Sequence, residues 1–198
     1  MAREQRATGP KIEAPPPATP EIDVGAARSA RPWTPAQILA RALWEAFRGP
    51  LFAWSPRPLW GWRALVLRLF GARIGARVHL YPSVRIAVPW NLDIADEVAV
   101  GDGAILYSLG AITIGRAATI SQYAHICAGT HDFRDPAMPL LRPPIDIGSG
   151  AWVCADAFIG PGVKVGSAAV VAARAVVVRD VAERAIVAGN PARPVGMR

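Results

Sequence analysis

A six-residue period runs through most of the chain and constrains its fold more than any other feature. Taking every sixth residue in five groups of three gives Ile, Leu or Val at all 15 positions. Four places later in each hexapeptide the residue is Val, Ala, Gly or Thr, with Trp90 as the exception. Neither an amphipathic helix, with its period of about 3.6 residues, nor a strand, with its period of about 2, produces this spacing. A hexapeptide repeat predicts a parallel β-helix, in which three short faces form one triangular coil of about 18 residues. The periodic positions are Ile74, Leu80, Ile86, Ile94, Val100, Leu106, Ile114, Ile120, Ile126, Ile147, Val153, Ile159, Val165, Val171 and Val177.

One interruption of the repeat predicts a functional site. Successive coils start 20, 20, 33 and 18 residues apart, so the large excess falls between the third and fourth coils. It is a 15-residue loop, residues 132–146, and His131 is the last residue before it. A prism has flat sides, so a cleft forms most easily where this loop meets a neighbouring prism. The pattern therefore predicts an oligomer with three-fold symmetry.

The residues before the repeat divide into a tail and a helical extension. Residues 1–32 are rich in Pro, Ala and charge without periodicity, which predicts a disordered tail. Residues 33–73 form the extension. Its first helix has Thr34 as N-cap, Pro35 at the first helical position and Gln37 completing a capping box, and it should stop at Gly49–Pro50. A second helix should end near Gly71, and residues 182–198 form a C-terminal segment after the β-helix of residues 74–181.

The basic charge of the chain lies in its N-terminal part. Residues 1–73 hold 11 Lys and Arg against 5 Asp and Glu, whereas residues 74–198 hold 11 against 10. The nearly neutral repeat region argues against a nucleic-acid partner. Helices within residues 33–70 have apolar residues on one side and Arg on the other. They could cover the open end of the prism or lie on an anionic membrane, and the sequence leaves both readings open.

Cysteine usage and hydropathy place the protein in a reducing compartment. Cys127 and Cys154 are too few for a disulfide scaffold or a four-cysteine zinc site, so we expect free thiols and no metal. Charges and prolines occupy the start of the chain where a signal peptide needs an apolar run, and no stretch is long enough for a membrane span. We expect a cytoplasmic protein, in peripheral contact with the inner face of the membrane if its helices bind lipid.

Several motifs resemble those of the hexapeptide-repeat acyltransferases. These are the hexapeptides, the Thr130–His131–Asp132 sequence before a loop, and Asn190–Pro191–Ala192–Arg193 near the end. Residues 59–198 are most similar to the colanic acid acetyltransferases of exopolysaccharide biosynthesis. The resemblance implies a left-handed parallel β-helix of about five coils, a homotrimer, acetyl-CoA as donor, and a sugar hydroxyl as acceptor, which could be lipid-linked.

The same resemblance implies roles for individual residues. His131 matches the general base, and an imidazole with a pKa near neutrality suits removal of a hydroxyl proton. Ala155 and Ala173 match corner residues whose backbone contacts the pantetheine arm, and Arg179 and Arg193 match residues that meet the phosphates of coenzyme A. Asp132, Ser108 and Trp152 are the candidate substrate-binding residues. Ser108 stands where the family often has Asn.

Two other function classes remain open at this stage. Some hexapeptide-repeat proteins are zinc carbonic anhydrases with three histidine ligands, and this chain has His79, His125 and His131. The other class is a non-catalytic trimeric scaffold for glycan assembly at a membrane. It predicts no binding of coenzyme A, whereas an acetyltransferase requires it.

Overall fold

The hexapeptides fold into three parallel sheets that wrap around one triangular prism. The computed structural model describes residues 22–29 and 33–198. All 15 periodic aliphatic residues are buried and stack in columns, with Ile74 beside Ile94 on the first face, for example. The fold is the predicted left-handed parallel β-helix.

Each face is a column of short strands. The first face consists of Arg73–Ile74, Leu92–Ile94, Ile112–Ile114, Ile145–Ile147 and Lys164–Val165. The second face consists of His79–Leu80, Ala99–Val100, Thr119–Ile120, Trp152–Val153, Val170–Val171 and Ala185–Ala188, followed by the antiparallel strand Arg193–Met197. The third face consists of Arg85–Ile86, Ile105–Tyr107, His125–Cys127, Phe158–Ile159 and Val176–Val177.

The prism is longer than the five predicted coils. Val181 bridges to Val165, and Ala185–Ala188 pairs with Val170–Val171, so an incomplete sixth coil follows Val177. The count of about five coils was therefore too low. The reason is the spacing: Val181 comes four residues after Val177, so a strict six-residue reading loses the register there.

The helical extension covers the open end of the first coil. It consists of the α-helix Pro35–Phe47, the π-helix Arg48–Ala53 and the α-helix Trp60–Leu69. The capping box is present, since Gln37 N–H donates to Thr34 Oγ1 and Thr34 N–H donates to the Gln37 side chain. The first α-helix ends before Gly49–Pro50, as expected, but the chain continues as a π-helix because Pro50 has no N–H for the α-helical ladder.

Three side chains of the extension bond to the exposed edge of the prism. Each coil donates its N–H groups to the coil above, which leaves the carbonyl groups of the first coil without a strand partner. Arg68 donates to Ile74 O, Arg63 donates to Leu80 O, and Trp44 Nε1–H donates to Ile86 O at 2.8 Å. One donor thus serves each face, and the extension protects an edge that could otherwise pair with another chain.

The N-terminal segment contains one short helix. Residues 24–29 form the helix Val24–Ser29, with Asp23 Oδ1 accepting from Ala26 N–H. The prediction of disorder is wrong for these residues, and the rest of the tail prediction lies outside the described residues, apart from Ile22 and Asp23. Within the described ranges, no helix is long and apolar enough to cross a membrane.

Candidate active site

His131 lies at the root of a β-hairpin that projects from the prism. The strand Thr130–His131 pairs antiparallel with Leu140–Leu141, so His131 stands opposite Leu140. Asp132 N–H also donates to Pro139 O at 3.1 Å. The loop is therefore a hairpin with a paired base, and its imidazole is exposed to solvent.

A backbone carbonyl defines the tautomer of His131. The distance between Nδ1 of His131 and the carbonyl oxygen of Met138 is 2.6 Å. A carbonyl oxygen can only accept a hydrogen bond, so Nδ1 carries the proton. The Nε2 lone pair of the neutral ring is consequently free to accept a proton, which is the arrangement that a general base requires.

Asp132, a predicted substrate-binding residue, shapes the hairpin tip. Its Oδ1 accepts from the N–H of Arg134, and Asp135 Oδ1 accepts in the same way from Ala137 N–H. These are local side-chain turns that hold a proline-rich tip with few backbone donors. Asp132 therefore has a structural function that can coexist with the predicted contact to substrate.

Ala155 and Ala173, the predicted donor-binding residues, stack at one corner of the prism. They occupy the turns between the second and third faces in successive coils, and Arg174 N–H donates to Ala155 O at 2.9 Å. Ala173 is exposed and Ala155 is partly exposed. Because the side chains of Ala155 and Ala173 are single methyl groups, an extended ligand has room to lie against the backbone at this corner.

Arg179 and Arg193 line the same cavity. It measures about 300 Å³, lies at the C-terminal end of the prism and includes Val177, Asp180 and Pro194 in its walls. Arg193 reaches it from the antiparallel strand Arg193–Met197, which follows the Asn–Pro–Ala–Arg motif. The fold thus brings together two guanidinium groups that are 14 positions apart in sequence.

Ser108 does not form part of a substrate site, and that prediction is wrong. The residue is fully buried. Its hydroxyl donates to Val88 O at 2.8 Å and accepts from Val88 N–H at 3.0 Å, so it joins two coils. A hydroxyl that is both buried and paired in this way cannot reach a sugar.

Trp152 lies on a different face of the prism from the strand that leads into the hairpin. It is half exposed on the second face, and its Nε1–H donates to Ser121 Oγ at 2.9 Å. Its position beside the corner of Ala155 favours contact with a donor over contact with a substrate bound at His131.

His131 and the pair Ala155 and Ala173 lie at different corners within one chain. His131 follows the third face, whereas Ala155 and Ala173 precede it. A single subunit therefore does not bring these residues together.

The other titratable groups do not form an alternative centre. His79 stacks on Trp60, and His125 packs edge-on against Phe158, so the three histidines do not converge. Among the described residues no cluster of three or more His, Cys, Asp or Glu side chains could hold a metal ion. Burial raises the pKa of the Cys127 and Cys154 thiols, which disfavours the reactive thiolate.

Sequence reasoning missed the residue that bonds to Nδ1 of His131. Met138 acts through its backbone carbonyl, and no side-chain pattern signals such a contact. The close approach of Gly110 to the loop has a weak sequence signal, because a glycine is the fifth residue of the third-face hexapeptide in the coil before His131.

Comparison with known proteins identifies relatives that are named as acetyltransferases. No family model matches the chain. A protein of Escherichia coli K12 assigned to colanic acid biosynthesis as the acetyltransferase WcaF is 45% identical over 150 residues, which cover 76% of this chain and 82% of the relative. A maltose O-acetyltransferase of Clostridium difficile 630 has a similar structure, with a TM-score of 0.75, 20% identity and coverage of 83% and 89%. A hexapeptide-repeat acetyltransferase of Vibrio cholerae, solved with acetyl coenzyme A, has a TM-score of 0.75, 22% identity and coverage of 83% and 90%.

Proposed function

Because this chain belongs to the family of hexapeptide-repeat acetyltransferases, we propose that it transfers an acetyl group from acetyl-CoA to a sugar hydroxyl, with His131 as general base. The observation that carries this proposal is the hydrogen bond between Nδ1 of His131 and Met138 O, which leaves Nε2 as the free base. The name of the E. coli relative favours an acceptor of exopolysaccharide biosynthesis, which could be attached to a lipid carrier.

His131 supplies the proton transfer that the reaction needs. As the acceptor oxygen bonds to the thioester carbonyl carbon, its proton passes to Nε2. Cleavage of the carbon–sulfur bond then releases the thiol of coenzyme A, which takes that proton from the imidazole. While the ring is positively charged, its bond to the Met138 carbonyl is charge-assisted and therefore stronger.

Four residues are proposed to hold the donor. The backbone at Ala155 and Ala173 would contact the pantetheine arm at the open corner. Arg179 and Arg193 would meet the phosphates in the terminal cavity, since two guanidinium groups beside one cavity suit an anion. Asp132 on the hairpin is proposed to contact the acceptor.

A homotrimer would complete the site. Because His131 and the donor corner lie at different corners of one prism, an intact site needs the hairpin of one subunit against the corner of the next. A closed ring of three subunits satisfies this requirement for every copy at once.

The decisive experiment measures donor binding and acetyl transfer separately. Calorimetry with acetyl-CoA is performed on the wild type and on His131→Ala, followed by thiol release with a panel of simple sugars. We expect both proteins to bind and only the wild type to release coenzyme A at a rate well above background. The loss should be about 10²–10⁴-fold, the usual contribution of a general base. Absence of binding in both proteins would favour the scaffold alternative.

The cavity residues have their own test. Arg179→Gln and Arg193→Gln should each weaken acetyl-CoA binding about 10–100-fold, which corresponds to one hydrogen bond to a charged group. Arg73→Gln is the matched control, since Arg73 is exposed on the first face and pairs with Asp93. Equal acetyl-CoA affinities in all three variants would show that the phosphates of coenzyme A do not bind in this cavity.

The outer face of the extension is proposed to lie on an anionic membrane. Leu39, Leu43 and Phe47 form an exposed stripe at helical spacing, and Trp54 is 79% exposed nearby. Residues 33–73 hold six Arg against one Glu. Arg63 and Arg68 bond to the prism edge, and the other four Arg still leave a basic excess that suits anionic lipid. Capping of the prism uses a different side of the Pro35–Phe47 helix, on which Trp44 is buried.

Vesicle co-sedimentation tests this surface. Leu39→Glu with Phe47→Glu should abolish binding to vesicles that contain phosphatidylglycerol. Val195→Glu, at an equally exposed position on the C-terminal strand, should leave that binding unchanged. If the wild type stays in the supernatant with such vesicles, the membrane proposal is wrong, and cross-linking at Leu39 then tests contact between copies.

A further inference from the structure

Two residues upstream of the first long helix touch the catalytic hairpin. Asp23 N–H donates to Pro136 O at the hairpin tip at 2.9 Å. Trp33 contacts the hairpin base, where the guanidinium carbon of Arg142 lies 3.8 Å from the centroid of its ring. The segment before the Pro35–Phe47 helix therefore contacts both ends of the hairpin.

Trp33 is itself held in place from the helix side. Arg41, nearly two turns into the Pro35–Phe47 helix, lies 4.4 Å from the same ring centroid. The capping box of Thr34 and Gln37 fixes the backbone immediately after Trp33. The ring is thus half-buried between the helix and the hairpin, and it makes a cation–π contact with a residue of each.

Arg142 belongs to the part of the hairpin that orients the base. We call residues 138–143 the return limb. It contains the carbonyl of Met138 and the strand Leu140–Leu141 that pairs with His131. On the prism side the backbone of Arg142 lies against Gly110, where an added Cβ would be 2.5 Å from the Arg142 carbonyl oxygen. The return limb is therefore restrained by the prism through its backbone and by Trp33 through the Arg142 side chain.

Backbone hydrogen bonding gives this limb limited support. The prolines at 139, 143 and 144 donate no backbone hydrogen bond, and the paired strands are only two residues long. A contact at Arg142 therefore has a large effect on how closely the limb stays against His131.

We propose that Trp33 is a positioning residue for the general base: it holds the return limb through Arg142 and so keeps the Met138 carbonyl on Nδ1 of His131. This inference rests on the proposed function of His131. Trp33 touches neither the proposed donor site nor the reacting atoms, so its effect should appear in kcat and not in acetyl-CoA affinity.

Steady-state kinetics with a double-mutant cycle test the proposal. The variants are Trp33→Ala, His131→Ala and the double variant, assayed with acetyl-CoA and the simple sugar that gives the highest wild-type rate. We expect Trp33→Ala to lower kcat about 10–100-fold, as a displacement of up to about 1 Å can do, with KM for acetyl-CoA within about twofold. In the His131→Ala background the same substitution should cause no further loss, because the residue acts through the base.

Matched variants separate positioning from general stability. Arg142→Gln should reproduce the loss, and Trp33→Phe should restore most of the rate, since a smaller ring keeps part of the cation–π contact. Arg41→Gln removes the other cation from the same ring without changing the hairpin and should lower kcat less than Arg142→Gln does. If Trp33→Ala does not fold, the proposal is tested with Trp33→Phe and Arg142→Gln instead. A wild-type kcat in Arg142→Gln overturns the proposal.

A spectroscopic measurement makes failure of this inference distinguishable from failure of the proposed function. Imidazole ¹⁵N shifts, assigned with His131→Ala, report the tautomer of His131 whether or not a sugar is acetylated. We expect the Nδ1–H tautomer in the wild type and a mixture in Trp33→Ala. An unchanged tautomer in Trp33→Ala, or an equal loss of rate in both His131 backgrounds, contradicts the inference. A wild type that transfers no acetyl group contradicts the proposed function instead.

Discussion

Gly110→Ala is expected to displace the hairpin that follows His131. Gly110 is buried at the end of the third face, and its N–H donates to Ala128 O at 2.7 Å. An added Cβ would lie 2.5 Å from the Arg142 carbonyl oxygen and 2.9 Å from that of Pro143. Both are backbone atoms, so no flexible side chain can move aside to make room.

The size of the displacement follows from these distances. Real Cβ contacts are essentially never shorter than 3.0 Å, so the Arg142 carbonyl must move by at least 0.5 Å, the difference between 3.0 and 2.5 Å. The same limb carries the Met138 carbonyl that holds His131. A shift of this order should lower kcat about 10–100-fold and lower stability by about 1–3 kcal/mol.

Thiol release and thermal unfolding measure the two effects. Acetyl-CoA binding by calorimetry should be unchanged, because the donor corner at Ala155 and Ala173 is remote from Gly110. Gly61→Ala is the control: it lies in the Trp60–Leu69 helix, and its added Cβ would meet nothing within 4 Å. A Gly110→Ala protein with wild-type kcat would refute the link between the return limb and the base.

Three further predictions concern stability. Burial lowers the pKa of His125 below its ordinary 6.5, so its contribution to stability is fully present above that value and decreases as the pH falls through the folded-state pKa. The decrease in melting temperature between about pH 7.5 and pH 5 should therefore be smaller for His125→Phe than for the wild type. Trp44→Phe removes the Nε1–H donor to Ile86 O and should cost about 1–3 kcal/mol in denaturant unfolding, because a buried acceptor loses its partner. Gly148→Ala places a Cβ 2.4 Å from Ser167 N and should cost about 1–3 kcal/mol in the same assay.

Each of these predictions has a contradicting outcome. Parallel pH profiles for His125→Phe and the wild type would show that His125 does not contribute to acid sensitivity. Unchanged stability in Trp44→Phe would mean that another donor reaches the edge carbonyl. For Gly148→Ala the comparison is again Gly61→Ala, which should gain about 0.5–1 kcal/mol as a helical glycine replaced by alanine; equal effects of the two substitutions would contradict the packing argument.

The coil architecture could be predicted from the sequence because the repeat is local and redundant. Each of the 15 periodic aliphatic residues from Ile74 to Val177 points into the core, so a single irregularity does not hide the pattern. The prediction failed where the register changed: the sixth coil begins at Val181 after a spacing of four residues. The helix at Val24–Ser29 was missed because six residues are too few to show an amphipathic period.

The residues of the candidate site also divide into those that the sequence could identify and those that it could not. His131 could be identified because it stands where the repeat breaks, and Arg193 because a motif precedes it. The burial of Ser108 could not be predicted from its neighbours, since a serine two residues after an inward-facing aliphatic residue can face either the core or solvent. Only the coil packing directed its hydroxyl to both backbone atoms of Val88.

The sequence alone determined the period of the chain, and with it the prism, its buried columns and the position of the hairpin. Those properties depend on the residue types at regular spacing, which a one-dimensional pattern contains. The tertiary structure alone decided which nitrogen of His131 is free, and which side chains cap the first coil. It also placed Trp33 on the limb that carries the Met138 carbonyl. These contacts join residues with no regular separation in the chain, and several use backbone carbonyls, which every residue has and no sequence pattern can distinguish.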